Sequence, residues 1–349
     1  MSFLTDMVKG IDNTSLLDEG ANSSEFSGSI DTGSYILNAA VSGSLYGGVP
    51  NNKITAFAGE SATGKTFFVL GVLKQFLDDN KDGGVIYFDT EAAVTKQMME
   101  DRGIDTKRVV ISEPCSIEEF RTNATRILST YIDQGKDAPP MMMVLDSLGM
   151  LSSNKELADT EAGTDKRDMT KAQLLRGTFR VLSLKLAKAN VPLLVTNHVY
   201  DVVGAYIPTK EISGGSGLKY AASSIVMLGK KKDKDGTDVV GNIIKATMHK
   251  SRFTKEQKKV EVKLSYDSGL DRYYGLLDLA EKYNIIKKVS TRYELPDGSK
   301  VFGKAINNDP EKYFTPEIME QLEVAAAKEF KYGQVGIDET PQEDIENVS

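Results

Sequence analysis

Eight consecutive residues, Gly59-Glu60-Ser61-Ala62-Thr63-Gly64-Lys65-Thr66, satisfy the pattern G-x-x-x-x-G-K-[ST] of a phosphate-binding loop. Glycines let backbone N–H groups close around phosphate oxygens. A following helix N-terminus adds unpaired donors and partial positive charge. Lys65 is then placed to reach the β- and γ-phosphates of a nucleoside triphosphate, and the Thr66 hydroxyl to ligate Mg2+. Eight letters can match by chance, so the flanks decide. Residues 53–58 read as a short apolar strand entering the loop, and residues 66–77 as a helix leaving it, with Phe67, Leu70, Leu73 and Leu77 at spacings of three and four.

Further candidate groups lie at the ends of apolar runs. Residues 85–89, 108–111, 141–146, 192–197, 224–228 and 242–249 read as strands, and residues 92–102, 117–132 and 166–189 as helices. Continuous apolar strands alternating with helices predict an α/β fold whose parallel sheet is covered on both faces. Ligands of such sheets bind beyond the carboxyl ends of the strands. Three runs end in polar groups there: Asp89-Thr90-Glu91, Asp146-Ser147 and Asn197-His198. Asp146 is the expected Walker B carboxylate, sharing Mg2+ with Thr66. The Met141–Met143 run reads as sheet core. Nucleotide hydrolysis needs a carboxylate that polarises the attacking water. Glu91 is the candidate, but Asp89 shares its strand face and spacing alone does not choose between them. His198 stands where a polar side chain could sense the γ-phosphate; an ordinary hydrogen-bonding role is the alternative.

Composition narrows the class. A chain of 349 residues holds one large α/β core and a smaller domain. The single cysteine, Cys115, rules out an internal disulfide, and two histidines, His198 and His249, argue against a zinc site; both fit a reducing cytoplasm. No apolar run approaches the roughly 20 residues of a membrane span, and the N-terminus lacks the pattern of a signal peptide. Most of the net charge of −7 belongs to the acidic residues Asp338, Glu339, Glu343, Asp344 and Glu346 near the C-terminus. Lys245, Lys250, Arg252, Lys255, Lys258 and Lys259 crowd one short stretch with only Glu256 opposing, a local basic patch suited to phosphates. Phe3, Leu4, Met7, Val8 and Ile11 follow helical spacing ahead of a serine-rich linker, so this short amphipathic helix must pack on its own core or on a neighbouring subunit.

In their order and spacing these motifs resemble the RecA recombinases, most closely the phage, UvsX-type branch. The resemblance covers residues 30–279. It includes Ser29-Ile30-Asp31-Thr32-Gly33-Ser34, the phosphate loop, Tyr87-Phe88-Asp89-Thr90-Glu91, Leu145-Asp146-Ser147, Thr196-Asn197-His198 and Ser213-Gly214-Gly215-Ser216-Gly217-Leu218-Lys219-Tyr220. It implies an N-terminal oligomerisation segment and linker at 1–30. A RecA-like P-loop ATPase and DNA-binding core, with a mostly parallel twisted sheet flanked by helices, would follow at 31–269. Beyond the resemblance, helical patterns at 274–280 and 316–329 predict a small C-terminal domain at 270–332, and acidic composition predicts a disordered tail at 333–349. The implied activity is a DNA-dependent ATPase that uses ATP and Mg2+ and exchanges DNA strands. The implied partners are single-stranded DNA, double-stranded DNA, further copies in a head-to-tail helical filament, and single-strand-binding and mediator or loader proteins. The place is the cytoplasm, of a host cell if phage-encoded, with no membrane.

The resemblance also distributes roles. It makes Glu91 the catalytic base and His198 the γ-phosphate sensor, where histidine would make the link pH-sensitive. It sends Lys250 and Arg252 to the ATP of the neighbouring subunit. Many members carry a second lysine where Arg252 stands, so the geometry there is expected to differ. Thr95 and Met98 occupy adenine-pocket positions that hold Asp and Tyr in bacterial members, which predicts weaker purine selectivity. Two loops, 151–168 and 199–217, leave strand ends at the nucleotide site and are the candidate DNA contacts. The second carries Val202, Val203, Tyr206 and Ile207 ahead of Gly214 and Gly215, apolar and aromatic groups suited to separating or stacking bases. Helix 166–189 has a core stripe of Ala172, Leu175, Phe179, Leu182 and Leu186, with Gln173, Arg176 and Arg180 on another face. Arg180 matches a position facing the DNA axis; for Arg176 simple solvation is an equal alternative. A ring-forming helicase motor and a non-exchanging accessory protein are the other functions this ATPase fold admits.

Overall fold

A computed structural model describes residues 3–7, 9–11, 28–135, 137–164, 168–201 and 210–333. The chain enters through α1 (Phe3–Met7) and β1 (Ser29–Ile30), which pairs across α2 (Tyr35–Ser42) with β2 (Val49–Pro50). Then β3 (Ile54–Gly59) runs into α3 (Lys65–Asp79), β4 (Gly84–Asp89) into α4 (Lys96–Glu100), and β5 (Val109–Ser112) into α5 (Ile117–Asp133). After β6 (Met141–Asp146) come α6 (Asn154–Glu161) and α7 (Lys171–Ala189); after β7 (Leu193–Asp201) come β8 (Lys210–Ile212) and α8 (Ser216–Ala221). A long hairpin, β9 (Ser224–Asp235) and β10 (Asp238–Ser251), leads to β11 (Lys259–Ser265) and β12 (Gly269–Leu270). The C-terminal part holds α9 (Leu276–Lys282), the small sheet β13 (Lys287–Val289), β14 (Arg292–Glu294) and β15 (Lys300–Val301), then α10 (Gly303–Asn308), α11 (Pro310–Tyr313) and α12 (Pro316–Phe330).

The main sheet has the order β12-β11-β10-β9-β3-β7-β6-β4-β5, with β8 pairing β7. From β9 to β5 the strands are parallel; beyond β9 they alternate in direction. Strands β3 and β6 are buried along their whole length, as their unbroken apolar runs require. Strand alternation sends Met142 and Val144 into a core shared with α2 and α3, and Met141, Met143 and Leu145 into one shared with α5 and α7. The methionine run is therefore core on both faces. The fold is α/β with a mostly parallel sheet flanked by helices, as its sequence pattern predicts.

Several boundaries differ from expectation for local reasons. The helix expected over 92–102 is only α4, because the Asp89 carboxylate accepts from the backbone N–H of Glu91 (3.0 Å) and Val94 (3.1 Å) and holds residues 90–94 in a turn. The first loop contains α6, started by the Ser153 side chain, which accepts from Glu156 N. Helix α7 begins at Lys171; Ala172 is exposed and Thr178 takes a place in the stripe. On α3, Phe67 is only half-buried, while Phe68, Val69, Val72 and Phe76 join the core because β1 also packs on this helix. Much of the second loop is regular, since β7 runs on to Asp201 and β8 returns beside it. Residues 202–209, with Val202, Val203, Tyr206 and Ile207, and 334–349 lie outside the described residues.

Residues 276–330 share a core with the antiparallel side of the sheet. Leu276 and Leu279 of α9 and Ile318, Leu322 and Phe330 of α12 lie in the same cluster as Val41 of α2 and Val260 and Val262 of β11. Glu329 fastens this junction. It accepts from Lys258 ahead of β11 (2.6 Å), from Lys282 of α9 (2.7 Å) and from the Tyr283 hydroxyl (2.9 Å). Burial pushes the Glu329 carboxyl up, but the hydrogen bonds from Lys258, Lys282 and Tyr283 overcome it and hold the group at about 2. Burial and the same carboxylate push the Tyr283 phenol up to about 12. A depressed carboxyl stabilises the fold fully above its ordinary value of 4.5, and that contribution is lost as pH falls toward 2. Glu329→Gln is expected to lower stability at neutral pH by on the order of 2 kcal/mol, and to flatten the loss in that acid window. Urea unfolding at a series of pH values tests this; parallel curves for parent and variant would refute it.

Candidate functional site

The phosphate loop joins the carboxyl end of β3 to the first turn of α3. Gly59 must be glycine: a Cβ there would lie 2.5 Å from Thr63 Oγ1 and 2.7 Å from the Leu228 carbonyl oxygen. Ala62 and Gly64 have positive φ, 58° and 94°, and the Thr63 hydroxyl donates to the Glu60 carbonyl at 2.9 Å, closing the turn. Lys65 is buried, and its ammonium donates to the carbonyls of Gly59 (3.1 Å) and Glu60 (2.9 Å). Burial lowers its pKa below the usual lysine value, with Glu91 and Asp146 pulling the other way. A cation and the positive end of α3 thus share one mouth, where phosphate oxygens would replace neutral carbonyls as stronger acceptors.

Asp146 ends β6 beside this mouth. Its Oδ2 accepts from the hydroxyls of Thr66 (2.8 Å) and Tyr87 (2.7 Å), and its Oδ1 from Thr196. Thr66 and Asp146 therefore present adjacent hard oxygens, a donor set that fits Mg2+ completed by water and phosphate oxygens.

The two carboxylates left open by spacing are separated by geometry. Asp89 is buried and its two oxygens are engaged by the turn amides of Glu91 and Val94. Glu91 instead lies beyond the strand, with Oε1 2.8 Å from His198 Nε2. Thr90 sets its position: Thr90 N donates to the Asp146 carbonyl (2.8 Å), its hydroxyl donates to the Ser147 carbonyl (2.7 Å), and Ser147 N donates back to that hydroxyl (2.8 Å). The Asp146–Ser147 peptide is cis. Burial raises the Glu91 pKa, but the nearby Ser147 hydroxyl, His198 and the charge of Lys65 outweigh it and leave the carboxyl below its usual range. It is ionised at neutral pH.

From His198 a chain of contacts leads to the second loop. His198 N donates to Asn197 Oδ1 (2.9 Å), Asn197 Nδ2 to the Ser213 carbonyl (2.8 Å), and Ser213 N to the His198 carbonyl (2.9 Å). Lys210, at the start of β8, forms an ion pair with Glu60 of the phosphate loop. Gly214 and Gly215 follow with positive φ, 82° and 73°, against α7. At Gly217 a Cβ would meet Arg176 N at 2.8 Å, so α8 approaches α7 closely, and Arg176 reaches Ser216 Oγ at 3.0 Å. Arg176, Gly214 and Gly215 are thus brought together. Arg180 lies one turn further on, lining with Arg176, Lys53, Tyr220 and Arg252 a cleft of about 620 Å³. Tyr206 lies outside the described residues. Thr95 caps α4, accepting from Met98 N at 3.1 Å.

Lys250 and Arg252 do not join the phosphate loop of their own chain. The register pairs Ser251 with Ser224 and Ser224 with Thr55, so both residues sit at the entry end of β3. Gly59 is four residues further along, roughly 13 Å of strand. Lys250 donates to the carbonyls of Lys219 (2.5 Å), Tyr220 (3.1 Å) and Ala222 (2.7 Å). Burial, with Arg252 and Lys219 adding, lowers its pKa. Tyr87, Thr90 and Thr196 stand inside the sequence motifs but carry no role there, and Lys210 is missed altogether, because the partners of all four are remote in the chain.

This fold and loop define a P-loop nucleotide-binding protein. The RecA N-terminal domain family matches residues 2–271, and the chain belongs to that family. The "Recombination and repair protein" of Enterobacteria phage T4 is 30% identical over 253 residues, 72% of this chain and 63% of that protein; the match thus spans under two thirds of the relative's length. "Protein RecA" of Chloroherpeton thalassium is 31% identical over 262 residues, 74% of this chain and 69% of the relative. The crystal structure of the RadB recombinase aligns with 70% of this chain and 99% of that one, at 22% identity and a TM-score of 0.49.

The two carboxylates should respond differently to substitution. Asp89→Ala orphans two turn amides and is expected to cost about 1–3 kcal/mol of stability. Glu91→Gln, which loses a partly exposed contact with His198, should cost less, under about 1 kcal/mol. Urea midpoints measure both; equal losses would mean that Glu91 is held for structure as Asp89 is.

Proposed function

We propose that this chain is an ATP-dependent DNA recombinase. It assembles head-to-tail as a helical filament on single-stranded DNA, pairs it with a homologous duplex and exchanges strands. The observation that carries the reading is the continuous path from Glu91 through His198 and Asn197 to Ser213, immediately before Gly214 and Gly215. A base for hydrolysis and a candidate DNA loop share one hydrogen-bonded chain, so nucleotide state and DNA contact can bias each other.

Each candidate residue takes a role in this reading. The phosphate loop, Gly59 to Thr66, wraps the phosphates, with the Lys65 cation on the terminal ones. Thr66 and Asp146 would hold Mg2+, which would supply neutralisation of phosphate charge. Glu91, ionised beside Lys65, accepts a proton from the attacking water, and His198 reports occupancy of the site to β7. Arg176, Arg180 and the amides of Gly214 and Gly215 contact the DNA backbone, with Tyr206 as a further candidate; such contacts weaken as salt rises. Lys250 and Arg252, at the sheet end away from their own loop, are cations for the ATP of the adjoining copy. The exposed Phe3, Leu4, Met7 and Ile11 supply an apolar surface for the same assembly. Among the described residues no helix is long and apolar enough to cross a membrane; the cytoplasm of a host cell, with single-strand-binding and loader proteins as partners, suits this activity.

Lys65→Ala should abolish strand exchange. Electron microscopy on single-stranded DNA with a non-hydrolysable ATP analogue should give open helical filaments; closed rings would point to a helicase motor, and no assembly to an accessory protein. The shared site has its own test. Glu91→Gln and Lys250→Ala should each lose DNA-stimulated hydrolysis. An equal mixture should regain about a quarter of parental activity, because one interface in four pairs the intact half of each. No recovery would place Lys250 outside the partner's site.

A further inference from the structure

Asp146 is gripped from both sides. Strand β6 lies between β4 and β7. The register sets Asp146 beside Asp89, and continuing from Leu145↔Val195 it sets Asp146 beside Thr196. Alternation then puts Tyr87, two residues before Asp89, on the same face. The Tyr87 hydroxyl donates to Oδ2 at 2.7 Å and the Thr196 hydroxyl to Oδ1. Both residues are fully buried, Tyr87 within the apolar cluster that includes Phe57, Met142 and Val144.

Phenylalanine and valine would fill these spaces without taking a hydroxyl out of water, so packing alone does not call for either group. What the two hydroxyls share is the carboxylate. A free aspartate rotates about its side-chain bonds and must be ordered when a metal binds. Held at both oxygens from separate strands, this one keeps Oδ2 turned toward Thr66.

We propose that Tyr87 and Thr196 are positioning residues that pre-orient Asp146 for Mg2+. The inference rests on the reading of Thr66 and Asp146 as the magnesium site of bound ATP. Neither hydroxyl touches nucleotide; each acts through the carboxylate.

The test uses the full chain and a fluorescent ATP analogue, titrated in EDTA and at a series of Mg2+ concentrations, for the parent, Tyr87→Phe, Thr196→Val and the double variant. The Mg2+ concentration that half-saturates the gain in nucleotide affinity should rise about tenfold in each single variant, the usual scale for losing a group that orients a metal ligand. Affinity in EDTA should hardly change. The double variant should lose less than the product of the singles, since both donors serve one group. An unchanged Mg2+ requirement in both singles, or equal losses with and without Mg2+, would overturn the proposal and leave the hydroxyls to packing. If one single variant does not fold, the other still reads the effect. A parent that gains no nucleotide affinity from Mg2+ would instead overturn the magnesium-site reading beneath it.

Discussion

Parallel pairing of β3, β7, β6 and β4 is the constraint on which the rest depends. Parallel neighbours finish at the same edge of the sheet, so polar residues scattered along the chain arrive together. Gly59 pairs with His198 and Asp146 with Asp89, which leaves the phosphate loop, Asp146, Glu91 and His198 around one opening. A slip of one residue in any strand would turn its polar end into the apolar layer.

The opening is tied together by few but directed contacts. Thr90 and Ser147 clasp the ends of β4 and β6 through reciprocal hydrogen bonds, and this clasp places Glu91 beyond the strand. The Glu91–His198 contact then crosses to β7. Because β7 continues past His198 into its pairing with β8, a change at the phosphates has a stiff element to act on before it reaches Gly214 and Gly215. Under the proposed function this is how ATP and DNA would sense each other without touching.

The antiparallel strands have the opposite consequence. Strand β10 reverses direction after β9, so Lys250 and Arg252 are carried to the far edge of the sheet, where Arg252 lines one cleft with Arg176, Arg180 and Lys53. No rotamer of either side chain recovers a distance of several strand residues. Under the proposed function, a nucleotide site that uses them would be completed by another copy.

By itself the sequence determined the phosphate loop, the alternation of apolar strands and helices, and the polar strand ends, because these are written in local spacing and apolar periodicity. It also marked Asp146, Glu91, His198, Arg176 and Gly214 as candidates. That turn amides engage Asp89 while Glu91 meets His198 belonged to the tertiary structure, since both carboxylates share a strand face. So did the length of α4, shortened by that same turn, and the placement of Ala172 outside the core. The grip of Tyr87 and Thr196 on Asp146 was equally hidden. Its partners are 59 and 50 residues apart in the chain, and hydrogen bonds between neighbouring parallel strands leave no periodic trace in any one of them.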